Sequence, residues 1–222
     1  MQPATKLKVA IDGPVSAGKS TAGQKLARRL GYRFLDTGQM YRAVTVAALD
    51  AGVTPSDTPA VTALARKCDI QVRNGQGITL DGRDVTQRLR DAEVERNVSA
   101  VSAMPGVRAA LVEKQRHIAA GGGIVMAGRD IGTVVLKDAD IKFYLDASPE
   151  TRARRRHDEM AMQGRKEPYD DVLAALKRRD RLDSTRTDSP LRPATDAEVI
   201  NSDSLTLDQV VDRMEAKVTA MA

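Results

Sequence analysis

The sequence predicts a doubly wound α/β domain of about five parallel strands, built on a phosphate-binding loop, and three observations predict it. Strand-like and helix-like stretches alternate along most of the 222 residues, an order that yields a parallel sheet with helices on both faces. Residues 13–20 read Gly-Pro-Val-Ser-Ala-Gly-Lys-Ser, the pattern G-x-x-x-x-G-K-[ST]. Around Asp81-Gly82 the texture changes to two-residue alternation with a tight turn, so a small antiparallel insert interrupts the parallel scheme.

Val9 and Ile11 lie on a short apolar run that suits a buried strand. After the glycine loop, Leu26, Ala27 and Leu30 recur at helical spacing, and Gly31 is a good residue just past the helix end. Tyr32 to Leu35 reads as a second strand. Thr37 then suits the cap of a helix that runs through Ala51 and stops at Gly52, with Met40, Val44, Ala47 and Ala48 on one face. Ser56 or Asp57 can cap a short helix to Lys67. Ile70 and Val72, the turn Asn74 to Gly77, Ile78 and Leu80, and Arg83 to Val85 make the antiparallel meander. With its following helix the insert covers residues 57–103, leaving 1–56 and 104–222 as the core.

Two helical stretches flank Met104-Pro105-Gly106, and Gly121-Gly122-Gly123 closes the second. Ile124 to Ala127 and Ile141 to Leu145 are the next strands. Ser148 caps a helix with Pro149 in its first turn, where proline is favoured. Gly164 stops that helix, Arg165 to Pro168 reads as a connection, and Tyr169 to Ser184 is helical again. Val199-Ile200 is a last strand, and Leu207, Val210, Val211, Met214 and Val218 stripe a last helix. Ligands of such a sheet sit at the carboxyl ends of its strands. That rule gathers the Gly13 loop, Asp36-Thr37 and Gly128 to Asp130 into one crevice.

The chemistry follows from the residue types. Gly13 and Gly18 let the backbone turn so that the loop amides form an anion nest, and the following helix adds its positive end. Lys19 reaches β- and γ-phosphates, and the Ser20 hydroxyl suits Mg²⁺. The ATP-binding set is therefore Gly13, Pro14, Val15, Ser16, Ala17, Gly18, Lys19, Ser20 and Thr21. Arginine, the residue of bidentate phosphate recognition, recurs near strand ends or on the helices that follow: Arg42, Arg108, Arg129, Arg154 to Arg156, Arg179 and Arg186. Arg179, Asp183 and Arg186 fall at steps of four and three residues, hence on one helical face, and simple i,i+4 pairing explains that spacing equally well.

The bulk properties narrow the classes. The formal charge of +5 fits either a nucleic-acid binder or an enzyme of polyanionic substrates. Aromatics are 3% of residues and Trp is absent, which disfavours a base-stacking surface. Cys68 is the single cysteine, so no intrachain disulfide forms, and a reducing cytoplasm is expected. No apolar run is long enough to span a bilayer. His117 and His157 are expected on helix surfaces with no metal role. No long apolar stripe is left over for a partner, so a monomer is expected.

These residues together resemble the bacterial cytidylate kinases of the nucleoside monophosphate kinase group, over nearly the whole chain. The carriers are Ile11-Asp12-Gly13-Pro14 through Ser20-Thr21, Leu35-Asp36-Thr37-Gly38 with Tyr41-Arg42, Gly128 to Thr133, Phe143 to Ser148, and Arg179-Asp180 with Asp183 and Arg186. The resemblance implies transfer of the γ-phosphoryl group of ATP, with Mg²⁺, to CMP or dCMP. It also implies a core, a monophosphate-binding insert and a lid at residues 152–168. Carried residue by residue, it makes Lys19, Arg129, Arg155 and Arg179 catalytic. It gives CMP the residues Thr37, Tyr41, Arg42, Arg108, Arg129, Asp130, Arg179, Asp183 and Arg186, with Arg42 and Arg129 on its phosphate and Thr37, Arg108 and Asp183 on its base. Two positions depart from the family pattern: Thr37 replaces a common Ser, and Ala127 replaces a common Asp, which shifts weight for a metal or sugar contact to Asp130.

Overall fold

The structure is a computed structural model that describes residues 6–73 and 77–221. Strands β1 (Lys8–Asp12), β2 (Arg33–Asp36), β6 (Ile124–Ala127), β7 (Ile141–Asp146) and β8 (Glu198–Asn201) form one sheet in the order β2-β6-β1-β7-β8, with every neighbouring pair parallel. Strands β3 (Ile70–Val72), β4 (Ile78–Leu80) and β5 (Arg83–Asp84) form a separate antiparallel sheet. The expected turn before β4 falls, for residues 74–76, outside the described residues. The helices are α1 (Lys19–Leu30), α2 (Thr37–Asp50), α3 (Thr58–Lys67), α4 (Ala92–Ala103), α5 (Pro105–Ala119), α6 (Pro149–Met162), α7 (Tyr169–Thr185) and α8 (Leu207–Thr219).

The two-residue period of the strands divides the core in two. Ala10, Leu35, Ile124 and Met126 face α2, α3, α4 and α5, while Val9, Ile11, Phe34, Val125, Phe143 and Leu145 face α1 and α8. Both faces of β1 are therefore buried; the chain leaves β1 toward the β2 edge, whereas it leaves β6 and β7 toward the β8 edge, so the strand order reverses around β1. This is the switch point at which such sheets open a crevice. Ile78, Leu80, Val85 and Leu89 belong to the same apolar cluster as Met40 and Val44 of α2, so the insert packs on the core through α2. A third, smaller cluster, of Ala153, Met160, Val172 and Leu176, joins α6 to α7.

Three local expectations are corrected. The cap of α2 is Asp36, whose side chain accepts from the Gly38 amide at 2.9 Å, and Thr37 is the first helical residue. A carboxylate outcompetes the threonine hydroxyl for the amides and for the positive helix end. Residues 131–135 form a π-helical turn and residues 88–90 a 3₁₀ turn, neither of which periodicity shows. Arg186 lies just past the end of α7 in extended backbone, so helical spacing does not align it with Arg179 and Asp183.

Candidate active site

The phosphate-binding loop is fixed by contacts at its base. Gly13 has φ 147°, and a Cβ there would lie 2.0 Å from the Leu145 carbonyl oxygen of β7, so only glycine fits. Gly18 is left-handed at φ 93° and precedes α1, while Ser16 holds φ 60° without being glycine. Such strain is retained where the surroundings over-determine the backbone. Lys19 Nζ donates to the Pro14 carbonyl at 2.6 Å, and Ser20 Oγ donates to Asp36 Oδ2 at 2.6 Å. Burial, and then the nearby Arg129 charge, bring the Lys19 ammonium down to about 7.

Sequence reasoning missed Asp12. It is buried at the end of β1 and accepts from the Ile131 and Gly132 amides, each at 2.7 Å, which anchors the π turn beneath the loop. Burial pushes its carboxyl up to about 6 despite those two bonds. Asp36 was likewise not assigned a site role. It stands in register with Ala127 on the neighbouring strand, so a carboxylate faces the crevice beside the position where Ala127 departs from the family pattern.

Two connected chambers open above the strand ends. The larger, about 540 Å³, lies beside the phosphate loop and reaches Arg90, Glu95 and Arg156. The smaller, about 190 Å³, is lined by Gly38, Tyr41, Val98, Ser102, Gly128, Arg129 and Arg179. Lys19, Ser20, Asp36 and Arg42 line both, so they stand where the chambers meet.

Around the smaller chamber the expected acceptor residues form a layered network. Arg42 donates to the Leu89 carbonyl at 2.9 Å. Thr37 donates to the Ala127 carbonyl at 3.0 Å. Arg129 pairs with the buried Asp183 at 2.5 Å, and Arg179 Nε lies 3.8 Å from the same carboxylate. Burial, and then the charge of Arg129, lower the Arg179 guanidinium to about 10. Arg108 and Asp130 form a buried ion pair below the chamber, with the Arg108 guanidinium 5.7 Å from the centre of the Tyr41 ring. Asp130 is thereby committed to Arg108 rather than open to a metal. Tyr41 Oη, Arg108 Nε, Arg179 Nε and Arg186 Nη2 are buried without a hydrogen-bond partner. Buried polar atoms are normally satisfied; of these four residues Tyr41 and Arg179 line the smaller chamber, whereas Arg108 and Arg186 line neither chamber.

The arginines of α6 separate according to their helical phase. Arg155 donates to Ser202 Oγ at 3.1 Å and to its carbonyl at 2.7 Å, on the β8 side, whereas Arg156 lines the larger chamber. Consecutive helical residues point about 100° apart, and on α6 this turns Arg156, rather than Arg155, toward the crevice. Arg152 is buried. It donates to the Ala147 carbonyl at 2.9 Å, to the Val15 carbonyl of the phosphate loop at 3.2 Å, and to both Asp180 oxygens at 3.1 and 2.6 Å. Val15 also packs on the apolar cluster between α6 and α7. Arg152 thus fastens the loop to the α6–α7 hairpin. Replacing it with alanine is expected to raise KM for ATP by about tenfold and to leave Asp180 half-buried and unpaired. Initial rates at varied ATP check this, and an unchanged KM would remove Arg152 from loop positioning. His117 is exposed and His157 stacks edge-on with Tyr169 at 6.3 Å, away from the crevice. Among the described residues no three His, Cys, Asp or Glu side chains cluster as a protein-only metal site.

A parallel sheet with its glycine loop, loop lysine and surrounding arginines gathered at the strand carboxyl ends defines a P-loop kinase. The same fold is seen in shikimate kinase from Bacteroides thetaiotaomicron, with a TM-score of 0.51 at 12% identity over 96% of this chain and 98% of that one. The chain belongs to the cytidylate kinase family, whose profile matches residues 9–220. It is 46% identical over 216 residues to the cytidylate kinase of Pelotomaculum thermopropionicum, covering 96% of each chain. To that of Mycobacterium avium it is 50% identical over 210 residues, covering 93% of this chain and 92% of the other.

Proposed function

We propose that the chain transfers the γ-phosphoryl group of ATP to CMP or dCMP, and that its residues divide the work by chamber. The observation that carries this reading is the meeting of two chambers at Lys19, Ser20, Asp36 and Arg42, one beside a phosphate loop and one ringed by arginines. The loop amides, Lys19 and Thr21 hold the ATP phosphates. Arg42 and Arg129 hold the acceptor phosphate in line with the γ-phosphorus, and Arg179 faces the charge that spreads over the transferring group. Arg156 is the lid arginine closing over that group. The acceptor phosphate is nucleophilic near neutral pH, so the protein's task is positioning and charge stabilisation without a dedicated base.

For the acceptor's base, Asp183 accepts from the exocyclic amine while Thr37 and Arg108 serve the ring acceptors. Tyr41 and Asp130 hold Arg108 in place, and Arg186 stands beside them. The division into core (1–56 and 104–222), insert (57–103) and lid (152–168) is the working division of this reading.

Ser20 and Asp36 offer hard oxygen donors at the junction of the chambers, 2.6 Å from each other, and fit Mg²⁺. When bound with the nucleotide, Mg²⁺ supplies charge neutralisation across the phosphates. Ser20 would hold it directly and Asp36 would orient its waters. We also take the chain to act as a monomer in the cytoplasm. Its large exposed apolar side chains, such as Met162, Leu182 and Val199, lie on separate elements, and its one cysteine is a free, buried thiol. Among the described residues no helix is long and apolar enough to cross a membrane.

The test is ADP release with ATP and Mg²⁺ across CMP, dCMP, UMP, AMP, GMP and shikimate. The expected result is turnover of CMP and dCMP at least about tenfold above the others in kcat/KM. Preference for another acceptor would keep the kinase and overturn the base assignments.

A further inference from the structure

Three guanidinium groups from three different parts of the chain converge on one carboxylate, Glu95 of α4. Arg156 of α6 donates to Glu95 Oε1 at 2.7 Å, and Arg165 of the α6–α7 connection donates to Oε2 at 2.9 Å. Arg42 of α2 lies 4.0 Å from Oε1. The Glu95 side chain is only 19% exposed, so these pairs are poorly screened compared with an open surface pair. Burial alone would raise its carboxyl, but the Arg165 hydrogen bond and the Arg156 charge outweigh burial and hold it below the ordinary glutamate value. A second carboxylate extends the same bridge: Glu159 accepts from Arg156 at 3.0 Å and lies 3.6 Å from Arg90 of the 3₁₀ turn.

These contacts tie the helix of the insert to the helix of the lid across the mouth of the larger chamber. Without Glu95, Arg42, Arg156 and Arg165 would repel one another there, with the Arg90–Glu159 pair of the 3₁₀ turn and the lid left to offset that repulsion. With it, Arg42 and Arg156 are already aimed at the space the phosphates cross.

We propose that Glu95 is a positioning residue for phosphoryl transfer, one that draws the lid to the insert and holds Arg42 and Arg156 over the crevice, coupling lid closure to capture of the acceptor. The proposal rests on the assignment of Arg42 to the acceptor phosphate. Glu95 touches no reacting atom. It sets the fraction of molecules whose crevice is competent to bind, and apparent affinity scales with that fraction. Once both nucleotides are bound, their phosphates supply the negative charge that the arginines need, and the contribution of Glu95 to the transfer step falls away.

The test uses the full chain with spin labels at Arg96→Cys and Met162→Cys, both exposed positions, in a Cys68→Ala background. Distances are measured without nucleotide and with ADP plus CMP. In the nucleotide-free protein a single short separation is expected, and Glu95→Gln is expected to lengthen it by about 5 Å or more. ADP plus CMP should restore the short distance in the variant. In unlabelled protein, Glu95→Gln should raise KM for CMP about tenfold with kcat within about twofold, and Glu95→Asp should fall between the two. Wild-type distances in Glu95→Gln, or lengthened distances with an unchanged KM, would overturn the proposal. If CMP proved not to be the acceptor, the nucleotide-free distances would still decide whether Glu95 holds the lid, separately from the fate of the functional reading.

Discussion

Lys19→Met is expected to lower kcat for CMP phosphorylation by about 10³-fold with little change in unfolding temperature, because it removes a preorganised cation from the transferring phosphates. Lys19 stands at the junction of the two chambers and, among the described residues, its ammonium hydrogen-bonds only a backbone carbonyl, so the fold does not depend on it. Steady-state rates and a thermal melt check both halves, and a loss under about tenfold would mean that the loop amides and Mg²⁺ suffice. The same residue predicts a proton linkage. Its ammonium sits near 7 in the protein, below the usual lysine value, so at about pH 8 it is largely neutral before nucleotide binds. Phosphates favour the charged form. ATP binding at about pH 8 should therefore take up close to one proton, and the uptake should vanish below about pH 6, where the lysine is already charged. Calorimetry in buffers of different ionisation enthalpy measures it, with Lys19→Met as the control that shows none.

The second large effect belongs to Asp183. It is buried between Arg129 and Arg179, and among the described residues it is the one carboxylate within ion-pair distance of both. Asp183→Ala strands two guanidinium groups, and breaking a buried pair of this kind costs about 3–5 kcal/mol, or about 10 °C in unfolding temperature for a chain of this size. Asp183→Asn keeps the shape and isolates the chemistry. Its kcat/KM for CMP is expected to fall by about 10³-fold while KM for ATP moves less than about threefold, and the preference for CMP over UMP should collapse. The two acceptors differ in the exocyclic amine, the group that the proposed reading pairs with Asp183. Equal losses on CMP and UMP would assign Asp183 to holding the arginines and take base reading away from it.

Both effects turn on residues of different legibility. Lys19 is readable because a phosphate loop is a local object: the turn, the nest of amides and the helix end all arise within a dozen consecutive residues, so spacing alone encodes them. The parallel sheet is readable for a similar reason, since short apolar runs such as Val9–Ile11 and Ile124–Ala127, bounded by glycine-rich turns and too short for helices, suit fully buried strands. The antiparallel insert announced itself through Asp81-Gly82, because a tight hairpin needs particular backbone angles at two adjacent residues. The acceptor arginines could be named from family likeness, but their partners could not.

Arg129 with Asp183, Arg108 with Asp130, Arg152 with the loop carbonyl of Val15, and Glu95 with Arg156 and Arg165 are pairs separated by 22 to 137 positions. No local pattern fixes which arginine meets which carboxylate. That choice depends on sheet order and on helical phase, which turns Arg155 toward Ser202 and its neighbour Arg156 into the crevice. The sequence by itself determined the phosphate loop, the parallel α/β class, the insert and the residue types gathered for polyanion chemistry, since these depend on short-range sterics and periodic burial. Only the tertiary structure decided the capping of α2 by Asp36, the burial of Asp12 and Asp130 and the convergence of three arginines on Glu95, since charges far apart in the chain are paired by packing.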